Sequence, residues 1–177
     1  MKIQNLFLFL FISLFFIGCQ SGPKLTPEEL QAKWQSPLAI SALNVGICQG
    51  VAETAESVQS GTSEGFSAFG ELMGAAIMIQ AVDEALTQAE PAADQTSLLS
   101  QMEADSAALK ALVGPWINEE ISSADVLDSI DEVCTDTEAT FEDVVAAARK
   151  DGLSEEAAAA ILEEMENSMN APTEDSE

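Results

Sequence analysis

The most informative absence from this 177-residue sequence is histidine, which does not occur at all. Without an imidazole the chain cannot form a Ser-His-Asp triad, a Cys-His dyad, a His-ligated zinc or haem site, or the Glu-x-x-His pairs of di-iron bundles. Basic residues are also scarce, because six Lys and Arg stand against 31 Asp and Glu, giving a formal net charge of −25. This imbalance argues against nucleic-acid binding, since there is no basic patch to neutralise phosphates.

The first 18 residues have the pattern of an export signal. Lys2 follows Met1, an apolar run extends from Ile3 to Ile17, and the small residue Gly18 precedes Cys19. A short positive start, an apolar stretch and a small residue before the cleavage point predict a secretory signal peptide over residues 1–18. The alternative is an uncleaved membrane anchor, although the run is shorter than the roughly 20 residues that a spanning helix needs.

The end of this segment, Phe16-Ile17-Gly18-Cys19, resembles the lipobox of bacterial lipoproteins, with Phe16 where Leu is usual. The resemblance covers these four residues only. It implies that the Cys19 sulfur carries diacylglycerol and that its freed amine carries a further acyl chain such as palmitate. It also implies that residues 19–25 form a lipidated cysteine and a short linker. No Asp follows Cys19, which by the same resemblance favours the outer membrane, and two or more acyl chains hold a protein firmly on a bilayer.

Apolar residues in the rest of the chain recur every three or four positions, and no segment alternates with the period of a strand. Thr26-Pro27 starts a short helix to about Gln35, and Ser36-Pro37 restarts the pattern in a helix of about 23 residues that ends at Gly61. Three more long helices are predicted. The first covers residues 62–90, the second runs from residue 92 or 94 to a kink or break at Gly114-Pro115, and the third covers residues 123–151. A short helix from Ser154 follows them.

The sequence therefore predicts an all-α, antiparallel helical bundle of about four main helices with short flanking helices, occupying residues 26–169. Residues 170–177 are predicted to be a disordered acidic tail.

Cys48 and Cys134 each lie on the apolar face of a predicted helix, and an exported protein is found where disulfides persist. If Cys19 is lipidated, these two remain to pair with each other. The alternative is two buried thiols that act as small hydrophobic side chains. A redox-active pair is not indicated, because there is no Cys-x-x-Cys sequence and no base beside either thiol.

The most apolar stretch after the signal segment extends from Phe66 to Val82 and contains Gly70-x-x-x-Gly74. Small residues four apart allow close approach of helices, so membrane insertion or self-association is one interpretation. Glu71 and Gln80 interrupt the stretch, which favours a central helix of the core. Glu71 is the one acid whose position on an apolar helix suggests burial.

Few residues of this sequence suggest a metal site or a catalytic site. The acidic runs Asp125–Glu132 and Asp136–Asp143 have helical spacing and lack the loop pattern of a calcium site, so they predict a solvated face, with no metal and no cofactor. Ser106 and Lys110 stand four apart, as a nucleophile and base would, but composition alone explains that spacing. No catalytic residue is assigned.

Trp34 and Trp116 lie at a helix end and beside a Gly-Pro break, which makes them candidate binding anchors, with a core position as the alternative. The sequence thus favours a membrane-anchored helical module that binds or scaffolds another envelope protein. The alternative is a passive acidic envelope component without a specific partner, and an enzyme is the least favoured class. An exposed apolar groove would favour the binding module, and a uniformly acidic surface the passive component.

Overall fold

The computed structural model describes residues 25–62, 65–89 and 92–170, and within them every regular element is an α-helix. The helices are α1 (Pro27–Ser60), α2 (Gly65–Gln88), α3 (Thr96–Ile117), α4 (Ser123–Asp151) and α5 (Glu155–Asn170). The predicted all-α bundle is therefore confirmed. The predicted signal peptide, Cys19 and most of the linker lie outside the described residues, as do residues 171–177 of the predicted tail, whereas Asn170 ends α5.

Several helix boundaries follow directly from local sequence signals. Thr26 and Ser122 each form a capping box, in which the side chain accepts a hydrogen bond from an amide of the first turn and an acid three residues later bonds back. Gly61 and Gly152 end α1 and α4 in the left-handed conformation, with φ of 68° and 110°. These starts and stops agree with the sequence predictions.

The expected break at Ser36-Pro37 does not occur, and α1 is one continuous helix of 34 residues. Proline has no amide hydrogen, so Pro37 leaves the carbonyl of Lys33 without its helical donor. The Gln95 side chain supplies that donor, because its Nε2 lies 3.1 Å from the Lys33 carbonyl oxygen. A contact between distant parts of the sequence thus compensates for the proline.

Of the kink or break expected at Gly114-Pro115, the break does not occur. Helix α3 passes through both residues to Ile117, and the amide of Asn118 donates to the carbonyl of Gly114 at 3.2 Å. A proline removes only its own amide from the helix, so the amides that follow it can still bond to upstream carbonyls. The chain leaves the helix at Glu119, whose φ is 59°.

Helix α1 is the centre of the bundle, since it packs against all four other helices, most extensively against α4. Its most apolar segment would suffice by length and composition for a membrane span, but half of that segment is buried inside the bundle, which accounts for its apolar character. The core comprises buried apolar side chains from all five helices, including Leu38, Ile47, Val51, Val82, Met102, Leu109, Ile130, Val144 and Ile161.

A disulfide joins α1 to α4. Cys48 and Cys134 are bonded, with their Cα atoms 5.5 Å apart and a sequence separation of 86, as the sequence predicts. The bond therefore links the two helices that pack most extensively.

Candidate functional site

Helix α2 carries a row of exposed apolar side chains. Phe69, Met73 and Ile77 are 51%, 39% and 64% exposed, and their spacing of four residues aligns them along one side of the helix. The opposite side is buried, with Leu72 and Val82 in the core. We call Phe69, Met73 and Ile77 the apolar ridge.

This exposure corrects the expectation of a central core helix over Phe66–Val82. The extensive contacts of helix α2 are with α1 and α3, and the ridge lies on the side that faces outwards. The neighbourhood of the ridge carries little charge, because Glu71 is the one ionisable residue between Ser67 and Gln80. In a chain with 31 acidic residues, this apolar row is a candidate interaction surface.

A groove of about 570 Å³ lies between α1 and α2. Gly46 and Gly50 line it from α1, and Gly74, Ala75 and Met78 line it from α2. Successive residues of a helix point about 100° apart, so these three residues lie on a different side of α2 from the apolar ridge. The ridge and the groove are therefore separate features of α2.

The glycines of the groove are not required by the packing of this protein. A Cβ added to Gly46, Gly50 or Gly74 would meet no neighbouring atom of the described residues within 4 Å. Glycine in a helix interior destabilises the helix by about 0.5–1 kcal/mol relative to alanine. Glycine at these positions therefore destabilises the helices, and packing among the described residues does not offset this loss of stability.

Two carboxylates, Glu53 and Glu71, also line the groove, and no Lys or Arg is among its described lining residues. Glu71 accepts hydrogen bonds from Thr54 Oγ1 at 3.1 Å and Ser67 Oγ at 3.3 Å. Its side chain is exposed rather than buried, which answers the question raised by its position on an apolar helix. The groove therefore combines small residues with two carboxylates.

The two tryptophans, considered above as binding anchors, are core residues. Trp34 is 1% exposed and Trp116 is 8% exposed, so neither presents a ring to a partner. The indole Nε1 of Trp34 donates to Asp151 Oδ2 at 3.1 Å, which satisfies its polar atom at the edge of the core.

Lys33 connects three segments at the end of the bundle where Trp34 and Asp151 lie. Its Nζ lies 2.6 Å from Asp94 and 2.6 Å from Asp151, so one ammonium links the segment before α3 and the end of α4 to α1. Burial alone would lower the pKa of Lys33, but the hydrogen bonds to Asp151 and Asp94 outweigh it and raise that pKa. This cluster fastens helices together and leaves no group directed at a ligand.

Ser106 and Lys110 do not form a nucleophile and base. Both bind one carboxylate, with Ser106 Oγ 2.7 Å from Asp83 Oδ1 and Lys110 Nζ 2.7 Å from Asp83 Oδ2. Hydrogen bonds from Lys110 and Ser106 hold the pKa of Asp83 below its ordinary value. The three residues therefore connect α2 to α3 as a structural cluster.

The acidic runs of α4 are exposed, and the described parts of the chain contain no group of three Asp, Glu, Cys or His residues arranged to hold a metal. Asp105 is the exception in burial, at 7% exposed, and its Oδ2 has no hydrogen-bond partner among the described residues. Burial raises the pKa of Asp105. A hydrogen bond from Thr140 lowers this pKa in part, and the negative charge of Asp136 raises it further.

No protein-family model matches the chain, and neither a curated protein nor a solved structure is similar to it. On the surface of the described bundle, the ridge and the groove are the features that differ from an evenly acidic exterior.

Sequence reasoning missed the ridge although its signal was present. Phe69, Met73 and Ile77 repeat every four residues, but Leu72, Ile79 and Val82 give the other side of the same helix an equally apolar pattern. With apolar residues all around, periodicity alone cannot tell which side is buried.

Proposed function

We propose that this protein is a bacterial envelope lipoprotein, anchored through Cys19 and acting as a helical binding module for another envelope protein. The tether is supported by the signal-like segment and by the lipobox-like Phe16-Ile17-Gly18-Cys19. The binding role is supported by one observation above the others, the exposed apolar ridge on α2.

The ridge can supply useful binding energy. Fully burying one large apolar side chain is worth about 1.5–3 kcal/mol. Phe69, Met73 and Ile77 retain between 39% and 64% of their exposure, so a partner that covers them gains part of this amount at each position. Such a row, aligned on one helix, suits a partner helix that packs along it.

The test is co-purification from the native host. Full-length protein with a tag after residue 170 is solubilised gently, and the proteins that accompany it at low and high salt are identified by mass spectrometry. The decisive variant replaces Phe69, Met73 and Ile77 by Ser, and the control replaces the exposed apolar Leu25 by Ser. A Cys19→Ala variant measures how much of the association depends on membrane attachment.

We expect a stoichiometric partner that survives high salt, is retained by the Leu25→Ser control and is lost from the ridge variant. Recovery of every variant with the same companions would contradict a binding role for the ridge. Recovery of the protein alone would favour the second candidate, a passive acidic envelope component, for which the net charge of −25 is the supporting observation.

A further inference from the structure

We propose that Asp105 forms a proton-sensitive contact between α3 and α4. With its proton bound, the Asp105 side chain keeps the two helices packed together. Release of the proton admits water to the contact and loosens α3 from α4.

The burial of Asp105 disfavours its charged form. The residue is 7% exposed, and its Oδ2 has no hydrogen-bond partner among the described residues. The buried Thr140 of α4 donates a hydrogen bond to the carboxylate. An ionised carboxylate can accept about four hydrogen bonds, and a buried charge without enough partners is strongly destabilising. The neutral, protonated form therefore suits this position better.

Helix α4 also faces Asp105 with negative charge. Burial raises the pKa of Asp105, and the charge of Asp136, one turn before Thr140 on α4, raises it further. The exposed Asp143, three residues after Thr140, lies on the same side of α4. On α3 itself, the exposed Glu103 precedes Asp105 by two residues. Ionisation of Asp105 thus adds a negative charge to a region that already carries several.

Among the described residues, no Lys or Arg pairs with this buried carboxyl group. On the α2 side of α3, Lys110 is bound to Asp83 at 2.7 Å. Helix α1 also packs against α3, and it has no ionisable residue between Lys33 and Glu53 other than the disulfide-bonded Cys48. The helices around α3 therefore supply no described cation that would stabilise the ionised form.

Cross-links elsewhere in the bundle determine which contact yields. The disulfide joins α1 to α4 covalently. Asp83 of α2 holds α3 through both Ser106 and Lys110. Ser106 directly follows Asp105, so α3 is bound to α2 by one residue and faces α4 with the next. The contact that ionisation of Asp105 weakens is therefore the one between α3 and α4.

A second unsatisfied oxygen lies where α3 meets α1. Asn44 of α1 is fully buried, and its Nδ2 donates to the carbonyl of Met102 at 3.2 Å, one turn before Asp105. The Asn44 Oδ1 has no partner among the described residues. Buried polar atoms without partners are stabilised by hydration. Water that enters beside α3 can therefore satisfy oxygens on both sides of this helix.

The first measurement follows the Asp105 carboxyl group directly. Carbon-13 NMR of the full-length, disulfide-bonded protein records the shift of each Asp carboxyl against pH, and Asp105→Asn assigns the signal by removing it. We expect Asp105 to release its proton at a higher pH than an ordinary Asp. A midpoint at or below the ordinary value would overturn the proposal.

The second measurement tests the loosening of α3. Because burial raises the folded-state pKa of Asp105, the closed contact prevails at low pH and weakens as pH rises through that pKa. Amide hydrogen exchange of the wild type and Asp105→Asn is compared at the same pH, so the intrinsic exchange rates cancel. At about pH 8 we expect α3 amides to exchange at least about tenfold faster in the wild type, and at about pH 4 equally fast in both.

The location of the change separates loosening of α3 from general destabilisation. We expect the ratio of exchange rates to be larger in α3 than in α1, because the disulfide keeps α1 on α4. Equal ratios in α1 and α3, or equal rates in the two proteins at about pH 8, would refute the proposed contact. The matched control Glu103→Gln removes an exposed charge from α3 and should exchange like the wild type.

Two neighbouring substitutions should move the Asp105 titration midpoint in opposite directions. Asp136→Asn removes a repelling charge and should lower the midpoint, whereas Thr140→Val removes a hydrogen-bond donor to the ionised form and should raise it. The control Asp128→Asn, at an exposed position of α4, should leave it unchanged. A midpoint that moves the same way in both variants, or in neither, would overturn the contact assigned to α4. These measurements need no partner, so their outcome is independent of the co-purification experiment.

Discussion

Removing the disulfide between Cys48 and Cys134 should cost a large part of the stability of this protein. In the unfolded chain the bond closes a loop of 86 residues. The chain-entropy relation gives about 4.6 kcal/mol for a loop of this length at 25 °C. Single domains have total stabilities of about 5–15 kcal/mol, so the bond accounts for a third or more of the expected total.

Two perturbations separate the sources of this loss. Reduction of the wild-type protein opens the loop and retains both sulfur atoms in the core, whereas Cys48→Ala with Cys134→Ala also removes them. Cys48 is fully buried, so the double variant should lose a little more than the reduced protein through poorer packing. Alanine is preferred to serine because a hydroxyl in that position would need a partner.

The assay is urea unfolding followed by circular dichroism, with and without reductant. We expect a lower midpoint, a melting temperature lower by about 10–18 °C, and a larger dependence on urea, because the unfolded chain without the bond exposes more surface. If reduction changes the free energy of unfolding by less than about 1 kcal/mol, the loop-closure reasoning is refuted for this protein.

Three further outcomes follow from the polar contacts and the backbone. Asp105→Asn should stabilise the protein by roughly 1–3 kcal/mol at pH 7, because burial raises the pKa of Asp105 and penalises its charged form. The gain should fade towards pH 3, where the acid is protonated in both the folded and the unfolded state, and the control Glu103→Gln, at an exposed position, should show neither effect. Lys33→Met should cost about 1–2 kcal/mol at pH 7 in chemical denaturation, against little for the exposed Lys150→Met, since it leaves two carboxylates without their shared cation. Because the hydrogen bond from Lys33 lowers the pKa of Asp94, part of this difference should be lost as pH falls and Asp94 is protonated. Gly152→Ala should lower stability by about 1–2 kcal/mol, because φ at this position is 110°, and an unchanged melting temperature would contradict that reasoning.

The sequence by itself determined the helices and many of their ends. The capping boxes at Thr26 and Ser122 and the glycine stops at 61 and 152 act through backbone groups within a few residues, so local pattern suffices to predict them. The disulfide was predictable as well, because Cys48 and Cys134 lie on apolar helix faces and the third cysteine has another expected role.

Only the tertiary structure decided whether the helices break, where the tryptophans lie and which side of α2 faces outwards. Helix α1 continues through Pro37 because Gln95, 58 residues later, bonds the freed carbonyl of Lys33, and no local rule contains that contact. Trp34 packs in the core, and Asp151, 117 residues later, accepts its indole hydrogen and so satisfies its polar atom there.

The candidate site depended most strongly on tertiary packing. Helix α2 is apolar on all sides, so its sequence is equally compatible with burying Leu72 or Ile77. Packing against α1 and α3 covers Leu72 and leaves Ile77 outside, and it brings Gly74 opposite Gly46 across the groove. Periodicity fixes where a helix forms, whereas exposure depends on which neighbours cover it, and that is a property of the assembled bundle.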